Sequence, residues 1–547
     1  MMDLNKLADA LIPDENIKPL SYYEELYPER NLEKGAEVTR LAPSPTGFMH
    51  IGNLYVALAN ERIAHQSGGV LYLRIEDTDE KRKVEGAVEV IHSSLKYFGV
   101  EFDEGADLSG NYGPYYQRQR AEIYHAFAKD LIKRGLAYPC FCTEEDLEKT
   151  REYQTENKLL PGYYGEFAKC RNLTEEEIYA NLAAGKPYVI RLKSQGDVEK
   201  KSTFRDAVKG DITVTENNQD VVILKSDGIP TYHFAHAIDD HFMRTTLVIR
   251  GEEWLSSLPI HIELFKVLGF KQPRYGHNCS IQKIDGEIRR KLSKRKDPEA
   301  SLTFYREQGY HKEAVRTYMM TLLNSNFEEW LLKNPDAPIS EFKYSIGKMG
   351  KSGALFDIVK LNDIAKTVMA KLSAEEMYDF MLDWANEYGT EQEKSYFADK
   401  EYLLKVLTLC MGIGGKKRRK DFICAKQAVE MIGYFFDSAF APEYAYRFEN
   451  ATVKNILQGF KAIYNPEDDC SAWFEKVKAV ATENGFATDM KAYKADPTAF
   501  PGNVSDVAEM LRIATTGLSN TPDLWTIMQI LGSERTLERL EKAIAAL

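Results

Sequence analysis

The sequence predicts an α/β fold: a parallel, doubly wound sheet divided by an insertion and followed by an all-helical half. Three observations carry this. Glu37–Leu41 and Leu71–Ile75 read as strands on either side of a helical run, Leu54–Gln66, that Gly68-Gly69 closes. Strand-like runs resume at Val221–Leu224 and Thr246–Ile249, after an intervening stretch of roughly 120–215. Beyond about 345 strand patterns fade, and segments such as Ala428–Phe436 and Val507–Thr515 read as helices.

Taken in order, Leu4, Leu7, Ala8 and Leu11 fall at helical spacing and predict a short docking helix in an extension, residues 1–36, to which no function is assigned. Pro43–Gly47 is a loop. Leu71, Leu73 and Ile75 alternate with Tyr72, Arg74 and Glu76, a period of two that marks a half-buried strand. Strand, helix and strand in such close succession form a βαβ unit, which requires parallel pairing.

At 547 residues the chain exceeds one hydrophobic core, and roughly three to five domains are expected. Seven scattered cysteines, an odd number, argue against a disulfide framework and for a reduced, cytoplasmic setting. No apolar run approaches the ~20 residues that span a bilayer, and the acidic N-terminus lacks the basic and apolar regions of a secretory signal. The net charge of −12 does not by itself suggest nucleic acid. Phosphate is met by local patches rather than by the mean, however. Six of the eight residues from Arg289 to Lys296 are basic, and Lys416, Lys417, Arg418, Arg419 and Lys420 form an unbroken run.

Two short motifs carry the chemistry. His50-Ile51-Gly52-Asn53 follows a predicted strand and opens a helix, and Lys291-Leu292-Ser293-Lys294 lies in the basic loop downstream. A loop at the carboxyl end of a parallel strand, leading into a helix N-terminus, offers unpaired N–H groups and a positive dipole to phosphates. Gly52 lets a base approach the backbone without a Cβ in the way, and His50 can donate to phosphate oxygens. Alone, a His-x-Gly turn is commonly a coincidence and a basic cluster commonly a solvated surface.

The flanks decide between these readings. Thr39–His50, Leu73–Asp79, Lys225–His233, Ile249–Trp254 and Thr521–Met528 resemble the corresponding segments of the glutamyl-tRNA synthetases of bacterial type, within the class I aminoacyl-tRNA synthetases. The resemblance runs over nearly the whole chain from about Val38 onward. It implies a Rossmann-type catalytic domain in two halves, 37–119 and 221–285, around an α/β acceptor-binding insertion at 120–220. A loop and stem-contact region at 286–366 and two helical anticodon-binding domains, 367–445 and 446–547, would follow.

The reaction implied uses ATP with Mg²⁺ to turn glutamate into glutamyl-adenylate, then transfers glutamate to the 3'-terminal adenosine of tRNA-Glu. A carboxylate is already a nucleophile, so catalysis reduces to positioning and charge stabilisation about the phosphorus. By resemblance His50, Lys291, Ser293 and Lys294 are catalytic, and His50, Gly52, Asn53 and Lys294 hold ATP. Asn53 stands where the superfamily motif has His, a position at which glutamate enzymes vary.

Arg40 and Arg250, helped by Tyr232, would take the glutamate side chain, since a planar guanidinium binds carboxylate in bidentate fashion. Ala42 and Ser44 would line the same loop, and Glu76 would pair with the substrate ammonium. His236 departs from the small or amide residue of many relatives. It reads either as a pocket residue tuning Glu against Gln or as a helix residue facing its own core.

Cys140, Cys142, Tyr163 and Cys170 match a structural zinc site that some bacterial relatives carry in the insertion, with Tyr164 as a competing ligand. Thiols that merely fill a core are the other reading. The run from Lys416 to Lys420, followed by Phe422, suits tRNA phosphates, although a solvated basic turn fits the same residues. The expected partners are tRNA-Glu, with tRNA-Gln left open, and no membrane; the expected state is a monomer. Two alternatives stand: a glutamine-specific relative and an inert paralogue that binds RNA or protein. The Pro43-Ser44-Pro45-Thr46-Gly47 loop and the helical C-terminal half favour glutamate over the first.

Overall fold

The computed structural model describes residues 2–13, 17–79, 84–293 and 295–547. The chain divides into two compact units: Met1–Thr303 with Arg316–Asp357, and Phe304–Val315 with Ile358–Leu547.

The first unit is built on parallel strands. Val38–Leu41 pairs with Val70–Leu73, which pairs with Glu104–Gly105, and separately Leu247–Gly251 pairs with Arg274–Asn278. The Thr246 N–H donates to the Val38 carbonyl at 3.0 Å and sets the two parallel groups side by side. The strand expected to reach Ile75 ends at Leu73, and Ile75 makes only a single bridge to Tyr116. Helix Ile51–Gln66 begins three residues earlier than its apolar spacing suggests, because His50 caps it. Its buried face includes Asn60, Glu61 and Arg62 as well as Leu54, Leu58 and Ile63, so it is covered nearly all round. Arg62 donates from Nη2 to the carbonyls of Ser340 and Phe342.

One strand joins a different partner from the one expected. The run Val221–Leu224, expected in the second half of the nucleotide fold, forms strand Val222–Leu224, which pairs antiparallel with Val189–Leu192, itself antiparallel to Ala137–Cys140. A short run rich in β-branched residues specifies a strand, not its neighbour. The insertion also carries an antiparallel hairpin, Lys201–Asp206 with Gly210–Thr215, mostly exposed along its length but buried at Asp206.

The N-terminal extension forms the helix its spacing predicts, Leu4–Leu11, capped by Asp3, which accepts from the Asn5 and Lys6 N–H groups. Leu7, Ala8 and Leu11 bury against Ile123, Phe127 and Leu131 of helix Ala121–Lys133. Burying the two leucines contributes about 1.5–3 kcal/mol each. A second helix, Leu20–Leu26, is tied down by the Tyr23 hydroxyl donating to Glu122 at 2.7 Å.

From Ile358 onward every described regular element is helical. One core gathers Met377, Met381, Leu403, Leu407, Val429 and Ile432. Another gathers Val453, Leu457, Phe460, Val477, Leu511 and Leu540. The helix expected over Ala428–Phe436 runs instead from Ala425 to Ile432 and tightens to a 3-10 turn at Gly433–Phe435. Phe304–Val315 belongs to this unit through specific bonds. The Gly309 carbonyl accepts from the Ala425 N–H at 2.8 Å, the Glu307 carbonyl from the Trp384 indole at 2.9 Å, and the Tyr310 hydroxyl donates to Asn362 at 2.7 Å. None of the described helices is long and apolar enough to cross a membrane.

Candidate functional site

A cleft of about 310 Å³ opens at the carboxyl ends of Val38–Leu41 and Leu247–Gly251. This is where an open α/β sheet binds its ligands. Of the residues singled out from sequence, Arg40, Ala42, His50, Gly52, Asn53, Glu76, Tyr232, Arg250 and Lys291 all line it. Tyr55, Glu253, Trp254, Asn278, Cys279 and Ser280 complete the wall.

Three expected residues are not among the lining. Ser44 is exposed between buried Pro43 and Pro45. Ser293 is half-buried, and its N–H donates to Asp297 Oδ2 at 2.8 Å. Lys294 lies outside the described residues. The loop's other charges are gathered locally, with Arg290 donating to both Asp297 oxygens and to Asp285. Those bonds from Arg290 hold the Asp297 carboxyl well below its usual range.

His50 shapes one end of the cleft. Its Nδ1 accepts from the Gly52 N–H at 2.9 Å while Asn53 Oδ1 accepts from the His50 N–H at 3.1 Å, a reciprocal cap. With Nδ1 accepting, the neutral ring carries its proton on Nε2. A Cβ at Gly52 would stand 3.0 Å from His50 Nδ1, so a side chain there would push the His50 ring by a few tenths of an ångström.

Around Arg40 lies a buried charge lattice. Asp240 accepts from Arg74 at 2.6 Å and from Arg40 at 3.4 Å. Asp239 accepts from Arg120 at 2.7 Å and from the Tyr124 hydroxyl at 2.9 Å. Both aspartates sit on helix Tyr232–Phe242 with side chains fully buried. Arg74 also reaches Glu76 at 3.2 Å. Burial pushes the Glu76 carboxyl up to about 7, outweighing the opposing pull of Arg74 and Arg40. The Tyr232 ring packs 4.4 Å from Trp254. His236 is fully buried with Nε2 2.8 Å from the Tyr275 hydroxyl and is absent from the cleft wall, which makes it a core residue.

Arg250 is held by residues that sequence reasoning did not single out: His277, His261 and the Trp254 carbonyl, at 3.0, 3.0 and 3.3 Å. The two histidines lie on separate elements, and nothing in their local sequence pairs them. Asn278 lines the cleft with both amide atoms buried and lacking a protein partner.

In the insertion, the sulfurs of Cys140, Cys142 and Cys170 lie within 4.8 Å of one another, with Cys142 and Cys170 3.6 Å apart. The Tyr163 hydroxyl is 3.4 Å from Cys140 and 3.3 Å from Cys142. Tetrahedral thiolates with Zn–S near ~2.3 Å have sulfurs roughly 3.8 Å apart, so the donor set fits zinc. Tyr164 does not compete, since its hydroxyl is engaged elsewhere, donating to the Leu160 carbonyl at 2.7 Å. In the helical unit, Lys416, Lys417, Arg418 and Lys420 are exposed, and Arg419 is half-buried and pairs with Asp421. Phe422, expected to accompany them at the surface, is a core residue at 5% exposure.

Residues 37–362 match the tRNA synthetases class I (E and Q) catalytic domain, and residues 501–544 match an anticodon binding domain. The chain is 52% identical to a glutamate–tRNA ligase of Acetivibrio thermocellus over 549 residues, covering 99% of this chain and 100% of that protein. It is 50% identical to one from Clostridium perfringens over 554 residues, covering 100% of both. Its structure resembles a crystal structure of a glutamate tRNA ligase from Elizabethkingia meningosepticum in complex with its amino acid, with a TM-score of 0.74 and 27% identity. That alignment covers 94% of this chain and 100% of that one. The catalytic-domain match and the full-length relatives agree: the chain belongs to the glutamate–tRNA ligase family of the class I tRNA synthetases.

Proposed function

We propose that this chain activates glutamate with ATP and Mg²⁺ to glutamyl-adenylate and transfers it to the 3'-terminal adenosine of tRNA-Glu, acting as a cytoplasmic monomer. The observation that carries the reading is the convergence of two buried guanidiniums, Arg40 and Arg250, and one buried carboxylate, Glu76, on a single cleft that His50 and Lys291 also line. Cations suit the substrate's side-chain carboxylate and the anion its ammonium. A neutral glutamine amide would leave that positive charge unanswered, which disfavours the glutamine-specific alternative.

Catalysis on this reading needs no general base, because the substrate carboxylate attacks the α-phosphorus directly. His50, donating from Nε2, and Lys291 stabilise charge that builds on the phosphate oxygens, with Lys294 as the further cation of the same loop and Ser293 supporting it. Gly52 and Asn53 shape the base-binding wall, where the unpaired amide of Asn278 supplies a donor and an acceptor. Ala42 and Tyr232 line the amino-acid end, and Ser44 acts through the loop rather than by lining it.

Residues 120–220 would hold the acceptor end, and 367–445 with 446–547 would reach the anticodon, with Lys416–Lys420 on tRNA phosphate. Cys140, Cys142, Tyr163 and Cys170 would hold one zinc ion whose work is structural, fixing the insertion. Aminoacylation with glutamate and with glutamine on purified tRNA-Glu and tRNA-Gln tests the whole. Glutamate on tRNA-Glu is expected. Glutamine on tRNA-Gln without glutamate transfer, or no charging of either, would overturn it. Glutamate on both tRNAs would widen the acceptor to tRNA-Gln.

A further inference from the structure

Arg250 differs in its partners from the buried cations Arg40 and Arg74. Arg40 and Arg74 share Asp240, whereas Arg250, 4% exposed, meets three uncharged acceptors among the described residues and no carboxylate. Its guanidinium also lies over the face of Tyr275, 4.7 Å from the ring centre.

A guanidinium has donors only, so each ring facing it must present a lone pair. That fixes both tautomers. His277 accepts at Nε2, carries its proton on Nδ1 and donates it to Asp206 Oδ2 at 2.6 Å. His261 accepts at Nδ1, carries its proton on Nε2 and donates it to His233 Nδ1 at 3.0 Å. Asp206 is itself pinned, its Oδ1 accepting from the N–H groups of Val208, Lys209 and His277. Burial keeps the rings neutral, holding His261 well below its usual range and His233 down to about 4.

This arrangement fixes a cation without neutralising it. Carboxylates in place of the imidazoles would orient Arg250 equally well but would offset the charge the substrate must find. Two neutral rings, each backed by its own acceptor, aim the fork and leave its charge for the incoming ligand. Asp206 is the last residue of the hairpin strand Lys201–Asp206, so the insertion's hairpin takes part in setting the geometry of the amino-acid end.

We propose that His261 and His277 are positioning residues for amino-acid recognition, holding Arg250 as an uncompensated cation for the side-chain carboxylate of the substrate, with Asp206 and His233 fixing their tautomers. The inference rests on Arg250 taking that carboxylate.

The test is steady-state aminoacylation by the full chain, reading KM for glutamate, ATP and tRNA separately, with thermal unfolding as control. His261→Leu is expected to raise the glutamate KM by about tenfold or more, the worth of one hydrogen bond to a charged group, with the other two KM values within about twofold. His261→Asn, whose Oδ1 can stand near the Nδ1 position, should return the glutamate KM to within about threefold of the parent. Asp206→Asn, remote from the cleft, should raise the glutamate KM by about threefold or more through His277, and it serves if the leucine variant does not fold. An unchanged glutamate KM in both His261→Leu and Asp206→Asn, a joint rise of all three constants, or no rescue by Asn would overturn the proposal. Arg250→Leu separates the two levels. If it leaves the glutamate KM unchanged, the underlying assignment of Arg250 has failed, whereas a large rise there beside silent histidine variants defeats the positioning role alone.

Discussion

Glu76 gives the sharpest pH prediction. Its carboxyl is raised from 4.5 to about 7 because burial costs more than Arg74 and Arg40 return. At 1.36 kcal/mol per unit, that is about 3 kcal/mol held against ionisation in the empty cleft. On the proposed reading the ionised form pairs with the substrate ammonium. With ATP and tRNA saturating, log kcat/KM for glutamate should therefore rise one unit per pH unit up to about 7 and level off above it, standing near a tenth of its plateau at pH ~6. The substrate does not titrate in this window, its side-chain carboxyl having a pKa near ~4.3.

The stability linkage has a definite sign. Between pH 4.5 and about 7 the folded state binds more protons at Glu76 than the unfolded state, so this group's contribution to stability falls as pH rises through that window. Bound glutamate should offset the loss, giving a larger thermal shift at pH 8 than at pH 6. Glu76→Gln should abolish the acid limb and lower plateau kcat/KM on the order of tenfold to a hundredfold, the loss of a charge-assisted bond. A flat parent profile between pH 5.5 and 8, or the same limb surviving in Glu76→Gln, would refute the reasoning.

Three further predictions follow from the same structure. Purified protein should carry one zinc ion per chain by elemental analysis and lose it in Cys142→Ser, with the tRNA KM rising more than the glutamate KM; protein prepared without chelators that holds no zinc contradicts the site. Asp240→Asn removes the carboxylate shared by Arg40 and Arg74 and should cost about 3–5 kcal/mol in the urea unfolding of the catalytic unit, so a cost below about 1 kcal/mol would contradict the lattice. Lys416→Ala and Lys417→Ala should each weaken tRNA binding and flatten its salt dependence by roughly one unit in a filter-binding titration; an unaltered slope would place them off the RNA.

The helix start at His50 was legible because its signal is local. His50, Gly52 and Asn53 sit on one turn after a predicted strand, although only the matching flanks gave that turn a chemical reading. Glu76, Arg40 and Arg250 were reached only through matching flanks, since a single arginine in a strand says nothing of its neighbours. What supports them was not legible at all. Asp239 and Asp240 are adjacent in sequence yet differ in their main partners, Arg120 for the first and Arg40 for the second, with Arg74 reaching both, because successive residues on a helix point some 100° apart. The His277–Arg250–His261 clamp joins three elements through contacts that no periodicity encodes. Val222–Leu224 shows the same limit for the fold, a strand whose partner is chosen by the tertiary setting. Ser44 shows it for a loop, where an exposed residue between two buried prolines is absent from the cleft lining.

The route of the polypeptide has a consequence for modularity. Phe304–Val315 is committed to the helical unit before the chain returns to complete the first unit at Arg316–Asp357, and only then does it leave for good at Ile358. Three crossings, not one, connect the two bodies. Excising everything after Asp357 would therefore strand a twelve-residue stretch whose Tyr305, Tyr310, Ala314 and Val315 had been buried, and would remove the Ala425, Trp384 and Asn362 groups that its backbone and side chains engage. A free-standing catalytic half could not arise from a single stop codon. It would also need that stretch rewritten for water, so the chain is stitched against loss of its C-terminal half.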